Sequence, residues 1–165
     1  MSNTLIGKDK ILMTIGELMS NKLETIEASD LVQVAAKKMR DKKISSLVVI
    51  DNSNKPVGII TERDFVRKVC VEDSDDKKMK VQDIMSDALV TTDAISDVEV
   101  AADIMLQNNV RHLLVVEGDN INKPLGIITP TDFTRYLKEN LNMDAVKAKI
   151  LESLKQTDAE SDKYE

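Results

Sequence analysis

From Ser29-Asp30, apolar residues fall at Leu31, Val34, Ala35 and Met39, the spacing of one helical face. The pattern returns after Ser96-Asp97 with Val98, Ala101, Ala102 and Met105. Each series predicts an amphipathic helix started by its Ser-Asp pair. Two β-branched runs follow each helix, Leu47 to Ile50 and Val57 to Ile60 in the first half, Leu113 to Val116 and Leu125 to Ile128 in the second. They are apolar without alternation, which predicts strands covered on both faces. A short extended piece precedes each helix, at Leu23 to Ile26 and Leu89 to Thr92, and a second helix opens at Thr61 and at Thr129. The order is β-α-β-β-α, twice, an α+β fold class.

The halves share residues as well as pattern. Lys55-Pro56-Val57-Gly58-Ile59-Ile60-Thr61-Glu62-Arg63-Asp64-Phe65 returns as Lys123-Pro124-Leu125-Gly126-Ile127-Ile128-Thr129-Pro130-Thr131-Asp132-Phe133, displaced by 68 positions. Farther upstream the displacement is 66, as where Ile15-Gly16-Glu17-Leu18-Met19-Ser20 meets Val81-Gln82-Asp83-Ile84-Met85-Ser86. Two extra residues therefore lie within 117–122, a Gly/Asn/Asp stretch expected to be a turn, where insertions cost little. Such repetition fixes the architecture before any other reading. The expected organisation is an N-terminal segment (1–14), a first repeat (15–71), a linker (72–80), a second repeat (81–136) and a C-terminal helix with a frayed tail (137–165).

Length and charge narrow the function. Each repeat of about 60 residues would bury a thin core alone, so the two are expected to fold against each other. A net charge of −6, with acids spread along 165 residues, argues against nucleic acid as a partner. No apolar run nears the roughly 18 residues that cross a bilayer, and the N-terminus lacks a cleavable signal pattern, so no membrane role is expected. Cys70 is the sole cysteine; it excludes an internal disulfide, fits a reducing compartment such as the cytoplasm, and is expected to be a small buried apolar residue. One His, one Cys and no metal-ligand spacing leave no nucleophile-base pair or zinc site, so no enzymatic activity, catalytic residue or metal is expected.

The candidate chemistry lies at Thr61-x-x-Asp64 and Thr129-x-x-Asp132. A hydroxyl at a helix start with a carboxylate one turn on projects both groups from a strand end, and a carboxylate accepting two adjacent hydroxyls is a good ribose reader. The same spacing also describes a helix-capping box. Gly58 and Gly126 mark a strand bend or a close approach by backbone or ligand. Phe65 and Phe133, one position beyond each aspartate, are expected to anchor the core.

Paired Gly-hydrophobic-hydrophobic-Thr-x-x-Asp motifs, each behind a hydrophobic strand, with Ile15-Gly16-Glu17-Leu18-Met19 and Val81-Gln82-Asp83-Ile84-Met85 opening the repeats, resemble a tandem pair of CBS domains, named for cystathionine β-synthase. The resemblance spans about Ile15 to Tyr136. It implies a pseudo-twofold pair that binds AMP, ADP, ATP or S-adenosylmethionine between the repeats, regulates a partner protein, and commonly forms a homodimer. Carried onto this chain, Asp64 and Asp132 would hold ribose beside Thr61 and Thr129. Thr25, Ile26, Val90 and Thr91 would border adenine, with Ile59 and Ile127 closing its apolar sides.

The phosphate positions of the two repeats differ. By the same resemblance, basic residues precede the second strand, and Arg111-His112 stand there in the second repeat where the first has Ser45-Ser46. Arg111 and His112 would face Asp64 across the pseudo-twofold axis, while Asp132 would draw on Arg63 with Ser45 or Ser46, and Arg111 is a further candidate there. Glu62-Arg63 is replaced by Pro130-Thr131 in the second motif, so the clefts are expected to be unequal. Two or three basic residues suit a single phosphate, which favours AMP. A scaffold with degenerate clefts is the alternative reading. The acid-rich run at Glu72, Asp73, Asp75 and Asp76 is expected to be a solvated linker, and Leu137, Leu141, Val146, Ile150 and Leu154 predict a tail helix packing on its own module or a second chain.

Overall fold

The computed structural model describes residues 13–70 and 78–140. The first 12 residues, most of the linker and the tail beyond Asn140 lie outside the described residues, as do the expected linker charge run and most of the tail helix. A first compact unit ends at Asp132 and a second begins at Phe133.

Each half builds one three-stranded sheet. In the first, β1 (Thr25–Glu27) runs parallel to β2 (Ser46–Ile50), which pairs antiparallel with β3 (Pro56–Thr61). In the second, β4 (Thr91–Asp93), β5 (Leu113–Glu117) and β6 (Asn120–Ile128) repeat that order. The crossover from β1 to β2 is α2 (Val32–Lys42), and that from β4 to β5 is α5 (Val98–Asn108). Both central strands are buried along most of their length, as unalternated apolar runs require. One face of the first sheet packs under α2 through Ile26, Ala35, Met39, Leu47, Val49 and Ile60. Its other face meets the second sheet, with Val48 against Leu114 and Val116 and with Leu23, Leu89 and Ile121 at the margin. The repeats thus share a core between sheets.

The opening helices are exchanged. Within α1 (Ile15–Leu18), Ile15 N donates to Ser96 O at 2.9 Å and Gly16 N to Ala94 O at 2.8 Å, both in the second repeat. Within α4 (Val81–Ile84), Val81 N donates to Asp30 O at 2.8 Å and Gln82 N to Ala28 O at 3.0 Å, both in the first. Val81 and Ile84 complete the first repeat's core. Each Met-Ser that follows then crosses a strand of the other half: Ser86 bridges Ile59, and Ser20 bridges Ile127. Gly58 and Gly126 are small for this reason. A Cβ on Gly58 would lie 2.6 Å from Ser86 O, and one on Gly126 would lie 2.5 Å from Ser20 O, so the close approach is by backbone.

Four local expectations need correction. Asp30 does not start α2: its carboxylate accepts from Glu27 N at 3.3 Å, its carbonyl accepts from Val81, and Leu31 stands at the cap. The insertion at 117–122 is the expected turn only at Gly118 and Asp119. Asn120 already pairs with Glu117, so the extra residues lengthen β6 and Gly118 makes the turn at φ 59. After Thr61 the helix is regular only through α3 (Glu62–Asp64) and continues as a π-helix, Phe65–Cys70, whereas α6 (Pro130–Asn140) is an ordinary α-helix. Cys70 ends that π-helix exposed rather than buried. Phe65 is partly buried and packs against the first core.

Candidate functional site

Strand β3 delivers Thr61 to the sheet edge, where the chain turns into α3 and brings Asp64 back beside it. Thr61 N and Thr61 Oγ1 both donate to Asp64 Oδ2, at 2.8 and 2.7 Å. The second motif repeats this, with Thr129 N and Oγ1 each 2.8 Å from Asp132 Oδ2. Both Thr-x-x-Asp motifs therefore cap their helices. Capping uses one carboxylate oxygen, and each threonine gives its single hydroxyl proton to the aspartate rather than to a ligand.

Burial distinguishes the copies, Asp64 being only partly buried. The Asp64 side chain keeps 16% of its surface exposed, and the closest cation to its Oδ1 is Lys68 Nζ at 3.9 Å. Lys68 is itself held by Ile84 O at 2.7 Å and Met85 O at 3.3 Å, at the end of the exchanged helix α4. Asp132 is buried, with 4% of its surface exposed.

A cavity of about 410 Å³ opens beside Asp64 and draws on both repeats. Its apolar lining includes Ile59, Val90, Leu89, Ile127, Val48 and Leu114. Leu114 N donates to Val90 O at 3.0 Å, which fixes the wall just before β4. Ser86 and Ala88, carried in by the exchange, line it too. The polar rim carries Ser45, Arg63, Arg67, Arg111 and His112, with Glu62, Thr129, Pro130 and Thr131 alongside.

Burial first, then the cations of Arg111 and Arg63, hold the His112 imidazole below its ordinary pKa, with Asp64 pulling the other way. His112 Nε2 lies 3.3 Å from Ser45 Oγ. The Arg111-His112 pair of one repeat thus meets Ser45 and Asp64 of the other across a single opening.

Several expected site residues lie elsewhere. Ile26 is 5% exposed and belongs to the first core, so the helix side claims its side chain. Thr25 and Thr91 are in β1 and β4, Ser46 pairs with Thr61 in the sheet, and none of these three lines the cavity. Asp132 does not line it either. The contributors missed by sequence reasoning include Arg67, Ser86 and Ala88. Arg67 was findable, four residues after Arg63 on the same helix. No local signal marks Ser86 and Ala88, which reach the site only through the exchange.

Comparison with known proteins agrees with this architecture. The CBS domain family model matches residues 15–70 and 81–139. An uncharacterized 17.7 kDa protein in the bps2 3' region of Acidianus ambivalens is 35% identical over 125 residues, covering 74% of this chain and 72% of that protein. Other relatives are longer, and the match spans 60% and 34% of two of them. The crystal structure of an uncharacterized conserved protein from Pyrococcus horikoshii is similar at TM-score 0.73 and 27% identity, covering 81% of this chain and 98% of that one. The CBS domain pair of protein MJ0100, in complex with 5'-methylthioadenosine and S-adenosyl-L-methionine, is similar at TM-score 0.65 and 25% identity, over 75% of this chain and 98% of that one. With both repeats matched along their length and the two sheets packed as a pair, this chain belongs to the CBS domain family as a tandem CBS pair.

Proposed function

We propose that this chain is a non-catalytic regulatory module that binds an adenosine nucleotide beside Asp64 and signals its occupancy to a partner protein. The carrying observation is Asp64 itself: one carboxylate oxygen is fixed by Thr61, and the residue lines a cavity that it shares with aliphatic side chains and with the guanidinium-bearing Arg63, Arg67 and Arg111. Adenine fits between Ile59 and Val90, ribose hydroxyls reach Asp64 Oδ1, and the phosphate meets Arg63, Arg111 and His112. The bound adenosine ligands of MJ0100 support the ligand class. The arginines oppose S-adenosylmethionine here, because a sulfonium would add a positive charge to a cationic rim.

Signalling follows from where the contacts originate. Asp64 and Ile59 come from the first repeat, Val90, Arg111 and His112 from the second, so a nucleotide joins the halves and favours the arrangement in which they are closest. Cytoplasmic location and homodimerisation belong to the same proposal; exposed Val34 on α2 and Val100 and Leu106 on α5 supply apolar surface for a second copy. The scaffold reading applies to the second motif, where buried Asp132 serves as a cap.

Thermal-shift measurements with AMP, ADP, ATP and S-adenosylmethionine test the assignment. A nucleotide at a hundredfold its Kd stabilises the fold by about 2.7 kcal/mol, a rise of roughly 5–10 °C in Tm. Asp64→Asn should keep the fold and lose that rise. An equal rise in the variant would remove Asp64 from the site.

A further inference from the structure

We propose that the cleft selects adenosine nucleotides with two or three phosphates over the monophosphate, and that Arg67 reads the additional phosphate. This rests on the nucleotide reading above and deepens it. With Arg63, Arg111 and His112 alone, the rim would suit AMP. Arg67 changes the balance, because it brings a third guanidinium onto the same cavity.

Arg63, Arg67 and Arg111 form no ion pair among the described residues, although other cations do: Lys38 and Lys42 meet Glu24, and Arg40 meets Asp41. Arg63 and Arg67 stand four residues apart along one helix, a spacing at which like charges repel. The carboxylates facing the same space are Glu62 and Asp64, and Asp64 already has Lys68 Nζ at 3.9 Å. His112 is held toward its neutral form and adds little positive charge of its own. A rim of three guanidiniums that pair with no carboxylate among the described residues is satisfied by an anion of greater charge than one phosphate, which carries about −2 at neutral pH.

Arg63 in α3 and Arg67 in the π-helix that continues it are separated by a distance of roughly one helical turn, about 5 Å. That distance suits linked phosphates following the helix away from the ribose reader, each taken by its own planar fork. The second repeat has Thr131 where the first has Arg63, and its motif does not recreate the ladder. Arg67 lies on the exposed side of the π-helix, so replacing it removes a charge and no core contact.

Titration calorimetry on the full chain without Mg²⁺ decides the matter, using AMP, ADP and ATP with wild type, Arg67→Gln and Asp64→Asn. Wild type is expected to bind ADP or ATP at least tenfold more tightly than AMP. Arg67→Gln should weaken ADP and ATP about tenfold and leave AMP within about twofold, with the Tm of the free protein unchanged. Asp64→Asn should weaken all three. Equal affinity of wild type for AMP and ADP, or equal loss of AMP and ADP in Arg67→Gln, would overturn the polyphosphate assignment while leaving the nucleotide site standing. Absence of binding by wild type to all three nucleotides would overturn the underlying reading and this one with it.

Discussion

At the scale of single residues, the two Thr-x-x-Asp motifs are nearly superimposable in hydrogen bonding and unlike in use. Asp64 and Asp132 accept the same two donors at 2.7–2.8 Å, yet one borders the cavity and the other is buried. The motif is legible in sequence because capping geometry is local; the burial of its aspartate depends on distant contacts and is not. His112 is a similar case, conspicuous as the sole histidine, but with a pKa set by its surroundings. Burial, Arg111 and Arg63 lower that pKa in the free protein against the opposing pull of Asp64, so as pH falls through about 6.5 protonation favours the unfolded chain and free-state stability declines. A phosphate seated among Arg111, Arg63 and His112 reverses the local field and raises the pKa again. Binding therefore takes up a proton, and affinity should fall as pH rises from about 5.5 to 7.5, by at most about tenfold per unit. The nucleotide's own phosphate titrates near pH 6, so His112→Gln is the comparison that isolates the histidine. Calorimetry across this range should give a steeper decline for wild type than for the variant. Identical profiles would separate His112 from the anion.

At the scale of elements, the apolar periodicity located both crossover helices and all three strands of each sheet, because a 3.6-residue stripe and an unalternated β-branched run each have one economical burial. Ends were harder to read. Asp30 was drawn from its expected cap by the incoming backbone of Val81, a partner 51 residues away. The π-helix after Asp64 has no marker in Phe65-Val66-Arg67-Lys68, which would read as a regular helix. Its position follows contacts of the exchanged segment, since Lys68 reaches from it to the carbonyls of Ile84 and Met85. The C-termini of α2 and α5 offer a sharper contrast. Both helices stop at a left-handed residue, Lys43 at φ 55 and Asn109 at φ 51. Asparagine tolerates this region; lysine does so at a cost of about 1 kcal/mol. Lys43→Gly should therefore raise stability by roughly 0.5–1 kcal/mol, read as a higher urea midpoint with an unchanged slope. A lower midpoint would mean that the Lys43 side chain makes a stabilising contact.

For the molecule as a whole, the decisive feature is that a repeat in sequence is not a repeat in space. Each opening Met-Ser segment belongs to one copy by homology and to the other by contact, which is why the boundaries of the internal repeat do not delimit independent cores. Full burial of Val81 and Ile84 in the first core contributes about 1.5–3 kcal/mol each, a large share of the roughly 5–15 kcal/mol that holds a domain folded. The exchange also builds the cleft, since the segment that bridges Ile59 continues into Ala88, Leu89 and Val90 of the cavity wall. Gly58 lies where the exchanged segment crosses β3. Its Cβ would meet Ser86 O at 2.6 Å and Met85 Sδ at 2.8 Å. The sulfur sits on a flexible chain and can move. The carbonyl cannot move without breaking the pair of 2.9 Å hydrogen bonds between Ile59 and Ser86. Gly58→Ala should therefore cost about 2–4 kcal/mol, the sum expected for overpacking and a strained backbone pair, and should weaken nucleotide binding because Ile59 and the 86–90 wall separate. Gly118 provides the control: a Cβ there meets nothing within 4 Å, so Gly118→Ala bears only the left-handed penalty of about 1–2 kcal/mol and should leave binding intact. Urea unfolding paired with nucleotide titration would separate the two outcomes. Loss of stability without loss of affinity in Gly58→Ala would show that the exchanged segment supports the fold but not the site.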